Sequence, residues 1–167
     1  MGPQSSDLHA FYVESMLATW ASDTGKPTIK SAIPKSNFYE HQKGNLRFLK
    51  RISKPSAVCK CDGSVSISAG TTALWMMNFS GTCSQDAILL LQAFHRLGMK
   101  DNRFLFGHPY TRLIHDEFQY CNRPKRDSDF SRFEGSESIY REGEKILYFK
   151  YEGRYNVSRL NKFMMSA

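Results

Sequence analysis

Cysteine and histidine are the side chains of this 167-residue chain best suited to hold a metal or attack a carbonyl, and there are four and five of them. Cys59 and Cys61 stand two apart, directly before Asp62-Gly63, with Cys83 and Cys121 further on. A zinc site needs about four close thiolate or imidazole donors. It would recruit Cys59 and Cys61 with two of Cys83, Cys121, His41, His95, His108 or His115. The intervals match no finger or ribbon, so the expectation is four free thiols with no metal or other cofactor. His108 and His115 flank a segment that also holds Asp116 and Glu117. Folded around a cleft, that set could perform acid–base chemistry in a small hydrolase or nuclease. The two histidines do not share a helix face, however, and there is no HExxH, P-loop or GxGxxG pattern. No catalytic residue is assigned, and a non-enzymatic chain is favoured. His95 reads as a histidine with a local hydrogen-bonding role.

The charge is more informative. The formal net charge is +7, and residues 26–60 carry nine lysines and arginines against the single acid Glu40, which leaves −1 for the remainder. A localised basic segment creates a directional field toward a polyanion. Its core is Lys43, Arg47, Lys50, Arg51 and Lys54, with Tyr39, His41 and Phe48 interleaved. Cations would neutralise phosphates, and exposed rings would stack on bases. Arg123, Lys125, Arg126 and Arg132 form a second patch that joins the first if folding brings them together. The favoured reading is therefore a sequence-tolerant binder of RNA or DNA. A compact aromatic domain with one basic segment fits a small viral capsid, nucleocapsid or silencing-suppressor type. The alternative is a protein-interaction or assembly module, including self-association.

With 41% hydrophobic and 13% aromatic residues the chain can build a core, and its length fits one domain over residues 1–167. No apolar run approaches a membrane span, and the N-terminus lacks the pattern of a signal peptide. The expected location is cytoplasmic or nuclear.

The expected fold class is α+β: an antiparallel sheet packed by a buried central helix and an N-terminal amphipathic helix. Leu8, Phe11, Tyr12, Met16 and Trp20 recur at helical spacing over 6–21. The central helix spans 84–100, capped by Ser84, ended by Gly98, and so apolar that little polar circumference remains. Residues 22–57 read as an irregular basic segment containing one strand, NLRFLKRIS, in which Leu46, Phe48 and Lys50 point opposite to Arg47, Leu49 and Arg51. Asp62-Gly63 reads as a two-residue hairpin turn. That would place Cys59, Cys61, Ser64 and Ser66 on one face, with Val58, Lys60, Val65 and Ile67 on the other. Residues 71–81 read as a strand, 109–121 as helix or strand, and 122–138 as a long polar connection. A closing hairpin turns at Gly143, and the tail reads as a short helix or arm. The sequence reading finds no internal repeat.

Overall fold

A period-two alternation of apolar and polar residues runs through most of the chain, and it builds strands. The computed structural model describes residues 5–29, 33–100 and 111–156. Its elements in chain order are α1 (Ser5–Ala18), β1 (Ser36–Lys43), β2 (Leu46–Ser53), β3 (Lys60–Ala69), β4 (Thr72–Cys83), α2 (Gln85–Lys100), β5 (Thr111–His115), β6 (Phe118–Pro124), β7 (Arg132–Arg141) and β8 (Glu144–Tyr155). All eight strands form one antiparallel sheet in the order β1-β2-β3-β4-β8-β7-β6-β5. The expected α+β class with an antiparallel sheet is the observed one.

One sheet face is apolar. Phe48 and Ile52 of β2, Val65 and Ile67 of β3, Trp75 and Met77 of β4, Ile139 of β7, and Leu147 and Phe149 of β8 are all buried there. The stripe of α1 meets this face: Tyr12 lies 6.2 Å from Phe48, 5.2 Å from Trp75 and 5.6 Å from Phe130, ring centre to ring centre. Trp75 also donates its indole N–H to the Phe130 carbonyl at 2.9 Å. In α2 the Ser84 hydroxyl accepts the Ala87 N–H at 3.2 Å, the cap its sequence promised. Gly98 does not end the helix, which continues to Lys100. Nor is α2 buried all round, because Leu89 and Leu97 are 59% and 42% exposed.

The strands form two successive meanders, β1–β4 and β5–β8, joined through their last members, and the second repeats the pattern of the first. Lys60–Ala69 recurs as Arg132–Arg141 and Thr72–Cys83 as Glu144–Tyr155, in each case 72 positions on. The turns at 44–45 and 70–71 recur at 116–117 and 142–143. In sequence, DGSVSI at 62–67 returns as EGSESI at 134–139. Phe79 and its counterpart Tyr151 face one another across the β4–β8 seam, so a local two-fold axis passes between them. This corrects the expectation of no repeat. In sequence the similarity is confined to a few positions that both halves need, and the rest differ.

One of those positions is Gly63, with its counterpart Gly135. A Cβ on Gly63 would stand 2.1 Å from Cζ of Phe79, and one on Gly135 would stand 2.5 Å from the Tyr151 hydroxyl. The aromatic ring of the neighbouring strand lies over each glycine. Gly63 is therefore not a turn residue, and Asp62-Gly63 lies inside β3. The turn is Gly70-Thr71, where Gly70 adopts φ 55°. Cys61, Gly63, Val65, Ile67 and Ala69 are all buried on one face, and burying that face outweighs the turn preference of an Asp-Gly pair. Cys61 accordingly lies on the side opposite Ser64 and Ser66, and Cys59 precedes the strand at φ 56°.

The supposedly irregular 22–57 contains β1 and β2, and the alternation read in NLRFLKRIS is the observed one. The ambiguous 109–121 and the polar 122–138 hold β5, β6 and the start of β7, with Asp116-Glu117 as a turn. The helix-or-arm reading of the tail falls outside the described residues.

Candidate functional site

The second sheet face is polar, and its composition follows from the same alternation. Ser64, Ser66 and Ser68 of β3, Asn78, Ser80 and Thr82 of β4, and Ser136 of β7 point away from the helices. Short side chains at the centre, flanked by long charged ones on β2 and at the end of β6, leave a trough of about 730 Å³. Arg51, Asp62, Ser64, Asn78 and Ser80 of the first half line it, opposite Arg123, Lys125, Glu134, Ser136, Tyr148, Lys150 and Glu152 of the second. Arg51 and Arg123, Asp62 and Glu134, and Ser64 and Ser136 are repeat equivalents, so the trough straddles the local two-fold axis. That volume is in the range of small-ligand sites, and the trough opens along the sheet.

Charge is concentrated on this side. Arg47, Arg51, Lys60, Arg112, Arg123, Lys125, Arg132, Lys145, Lys150 and Arg154 stand against Glu40, Asp62, Glu134 and Glu152. Among the described residues, ten cations to four acids give this face an excess of six. Some of this charge is internally matched. Arg47 pairs with Glu40, Arg51 with Asp62, and Lys125 with Glu134 at 2.6 Å. Lys150 is exposed and, among the described residues, in no ion pair. Lys145 covers the ring of Tyr148 at 4.9 Å, a cation–π contact beside the trough.

The sequence-predicted contact residues divide accordingly. Arg51, Arg123 and Lys125, from the two separate patches, meet in the trough, and Arg47 and Arg132 lie on the same face. Lys54 follows β2, and Arg126 lies in the turn after β6. Tyr39, Phe48 and Lys50 are 2%, 0% and 2% exposed and offer nothing to a polyanion. They point inward because each shares the apolar side of its strand. His41 and Lys43 face α1, where they meet Glu14 at 3.4 Å and 2.7 Å. Lys150 was missed because it sits outside both basic runs. Only its place across the seam from Ser80 gives it a role.

Beneath the trough lies a buried polar cluster that the sequence reading did not find. Trp20 donates its indole N–H to Nδ1 of His95 at 3.0 Å. The imidazole hydrogen therefore sits on Nε2, which lies 2.8 Å from Oε2 of Glu137. The same carboxylate oxygen accepts the Tyr120 hydroxyl at 3.0 Å. Burial alone pushes the Glu137 carboxyl upward, but the His95 imidazole, the Lys50 ammonium and the Tyr120 hydroxyl outweigh it and hold it below the usual carboxylate range. The Lys50 ammonium lies 4.2 Å above the Trp20 ring and 4.8 Å above that of Phe79. Burial lowers its pKa to about 8, against the opposing pull of Glu137 and Cys61. His95 thus has the hydrogen-bonding role its sequence implied. Every member is buried, so the cluster presents no atom to a substrate.

Lys50 gives stability a pH dependence of definite sign. An unfolded lysine holds its proton to about pH 10.4, whereas the folded one releases it near 8, so the unfolded chain binds more protons between those values. Stability therefore rises with pH across that window. Above about pH 10 it falls again, because buried Tyr12, Tyr120 and Tyr151 are held protonated only while the chain is folded. Urea unfolding from pH 7 to 9.5 is expected to show stability rising by about 2 kcal/mol more in the parent than in Lys50→Met. Parallel profiles would contradict the burial of a titrating amine.

Among the described residues, no three His, Cys, Asp or Glu side chains are placed to hold a metal. All four cysteines are free thiols. The Cys61 thiol donates to the Ser53 carbonyl at 3.0 Å. His115 and Asp116 lie exposed at a turn, 3.6 Å apart, and Glu117 meets Arg141 at 3.5 Å. His108 falls outside the described residues. Among those residues no helix is long and apolar enough to cross a membrane. Comparison with protein-family models, curated proteins and solved structures gives no match to this chain.

Proposed function

We propose that the chain is a nucleic-acid-binding protein and that the open face of its sheet is the binding surface, largely indifferent to sequence. The observation that carries this reading is convergence: Arg51, Arg123, Lys125 and Lys150, drawn from three strands and both halves, surround one hydroxyl-lined trough. Guanidinium and ammonium groups neutralise phosphates, and serine hydroxyls donate to phosphate oxygens without reading bases. From β2 to β6 the face spans five strand spacings, about 24 Å, enough for several consecutive phosphates of a polynucleotide.

The buried cluster supports the face from below. Lys50 precedes Arg51 and Glu137 lies between Ser136 and Ser138, while Tyr151, between Lys150 and Glu152, is held by donating its hydroxyl to Oδ1 of Asn122 at 2.6 Å. Locking the inward residue of each pair fixes where its outward neighbour stands. The test is fluorescence anisotropy with labelled 12-mers of RNA and DNA across a salt series. For four phosphate contacts to a single strand, the logarithm of the association constant should fall against that of salt with a slope of about −3. Absence of binding to every oligonucleotide at low salt would refute the proposal. Self-association that ignores salt and oligonucleotide alike would favour an assembly role.

A further inference from the structure

We infer that the trough takes an unpaired strand, single-stranded RNA or DNA, with its bases turned toward the β4–β8 seam. This rests on the nucleic-acid reading and adds the form of the ligand. The inference comes from the acids. A surface evolved only to hold a phosphate backbone has no use for carboxylates among its cations, since each repels the ligand. Yet Glu152 stands exposed in the trough, in no ion pair among the described residues. It lies directly opposite Glu134, a like-charged neighbour that disfavours the placement.

The partners of Glu134 and Asp62 are accounted for by Lys125 and Arg51. Glu152 is left with Asn78 as its neighbour across the seam. A carboxylate beside a primary amide is a pair that accepts from and donates to the edges of bases, as carboxylates do toward the cytosine amino group. In a duplex those Watson–Crick edges are occupied, and a duplex backbone would meet only the repulsion. In an unpaired strand the edges are free, Lys150 stands beside them for a phosphate, and Arg51 and Arg123 reach flanking phosphates by exchanging their present contacts for them.

The repeat sharpens the point. The local two-fold axis relates Asn78 to Lys150 and Ser80 to Glu152. The shared frame is thus kept while the seam carries neutral polar groups on one strand and opposite charges on the other. A bound strand meets different chemistry on entering from each half, so it lies in one polarity. Beside the matching Arg51/Arg123 and Ser64/Ser136 pairs, this unlike pair of strands is where Asn78 and Glu152 add base contact to the phosphate contact of Lys150.

The experiment compares a mixed-sequence single-stranded 12-mer with its own duplex, against the parent chain and Glu152→Ala, at fixed low salt. Glu152 is exposed, so the variant should fold, and circular dichroism checks that it does. The single strand is expected to bind the parent at least 10-fold more tightly than the duplex. Glu152→Ala should weaken the single strand about 5-fold while strengthening the duplex, because only the duplex is relieved of a repulsion. Equal affinity for both forms, or tighter binding of both by Glu152→Ala, would overturn the unpaired-strand inference and leave the nucleic-acid reading standing. No binding of either form would overturn both.

Discussion

Replacing Glu137 by valine, the residue at the equivalent position 65 of the first half, is expected to destabilise the chain by about 3–5 kcal/mol. The cost comes less from the lost contacts than from what is left behind. Lys50 would remain in the core, 2% exposed and without its counter-charge, and the Nε2–H of His95 and the hydroxyl of Tyr120 would lose their shared acceptor. Lys50→Met alone should be close to neutral, since it removes an amine whose charged form burial already disfavours. In the Glu137→Val background the same change should recover about 2 kcal/mol or more, because it removes the orphaned charge. Urea unfolding of the four proteins at pH 7 closes the cycle. Strict additivity would show that the two groups do not sense each other and that the cluster is not a unit.

Neutralising the trough should have the largest effect on binding. The triple variant Arg51→Gln, Arg123→Gln, Lys150→Gln is expected to lose about 10²-fold in affinity for a single-stranded 12-mer at low salt, and its salt slope should become shallower by about 2. All three side chains lie at the surface, and the exposed Arg51–Asp62 pair contributes little to stability, so the fold should survive. The informative control is Lys43→Gln. Lys43 belongs to the same basic run of sequence, but it reaches toward Glu14 on the helix side. It should change affinity less than 2-fold. An equal loss in both variants would mean that charge acts without regard to face and that the trough is not the site.

Which basic residues matter was only half legible in the sequence, and the reason is geometric. Composition identifies the segment, but alternation decides the side, and Arg51 and Lys50 are neighbours with opposite fates. The NLRFLKRIS pattern already placed Lys50 with Phe48 on the inward side, so its burial could have been read. Tyr39 could not, because β1 has no clear alternation of its own and takes its facing from its pairing with β2. Asp62-Gly63 misled for a physical reason. The glycine answers a ring on the next strand, and no local signal distinguishes that need from a turn. The strongest overlooked signal was DGSVSI and EGSESI, 72 residues apart. Of their two differences, aspartate for glutamate at 62 and 134 is conservative, whereas valine for glutamate at 65 and 137 points to an acid in a core position, and hence to a buried partner. The seam could not be read locally, since Ser80 and Lys150 are brought together by the pairing of each half's last strand.

The most direct test of the binding face is amide chemical-shift mapping by NMR on titration of the 13C,15N-labelled chain with a single-stranded 12-mer. The account predicts the largest shifts at Ser64, Asn78, Ser80, Ser136, Lys150 and Glu152, the residues whose strands meet across the trough, with α2 unmoved. Shifts concentrated on α2 around Leu89 and Leu97, with those six amides unchanged at saturation, would contradict it.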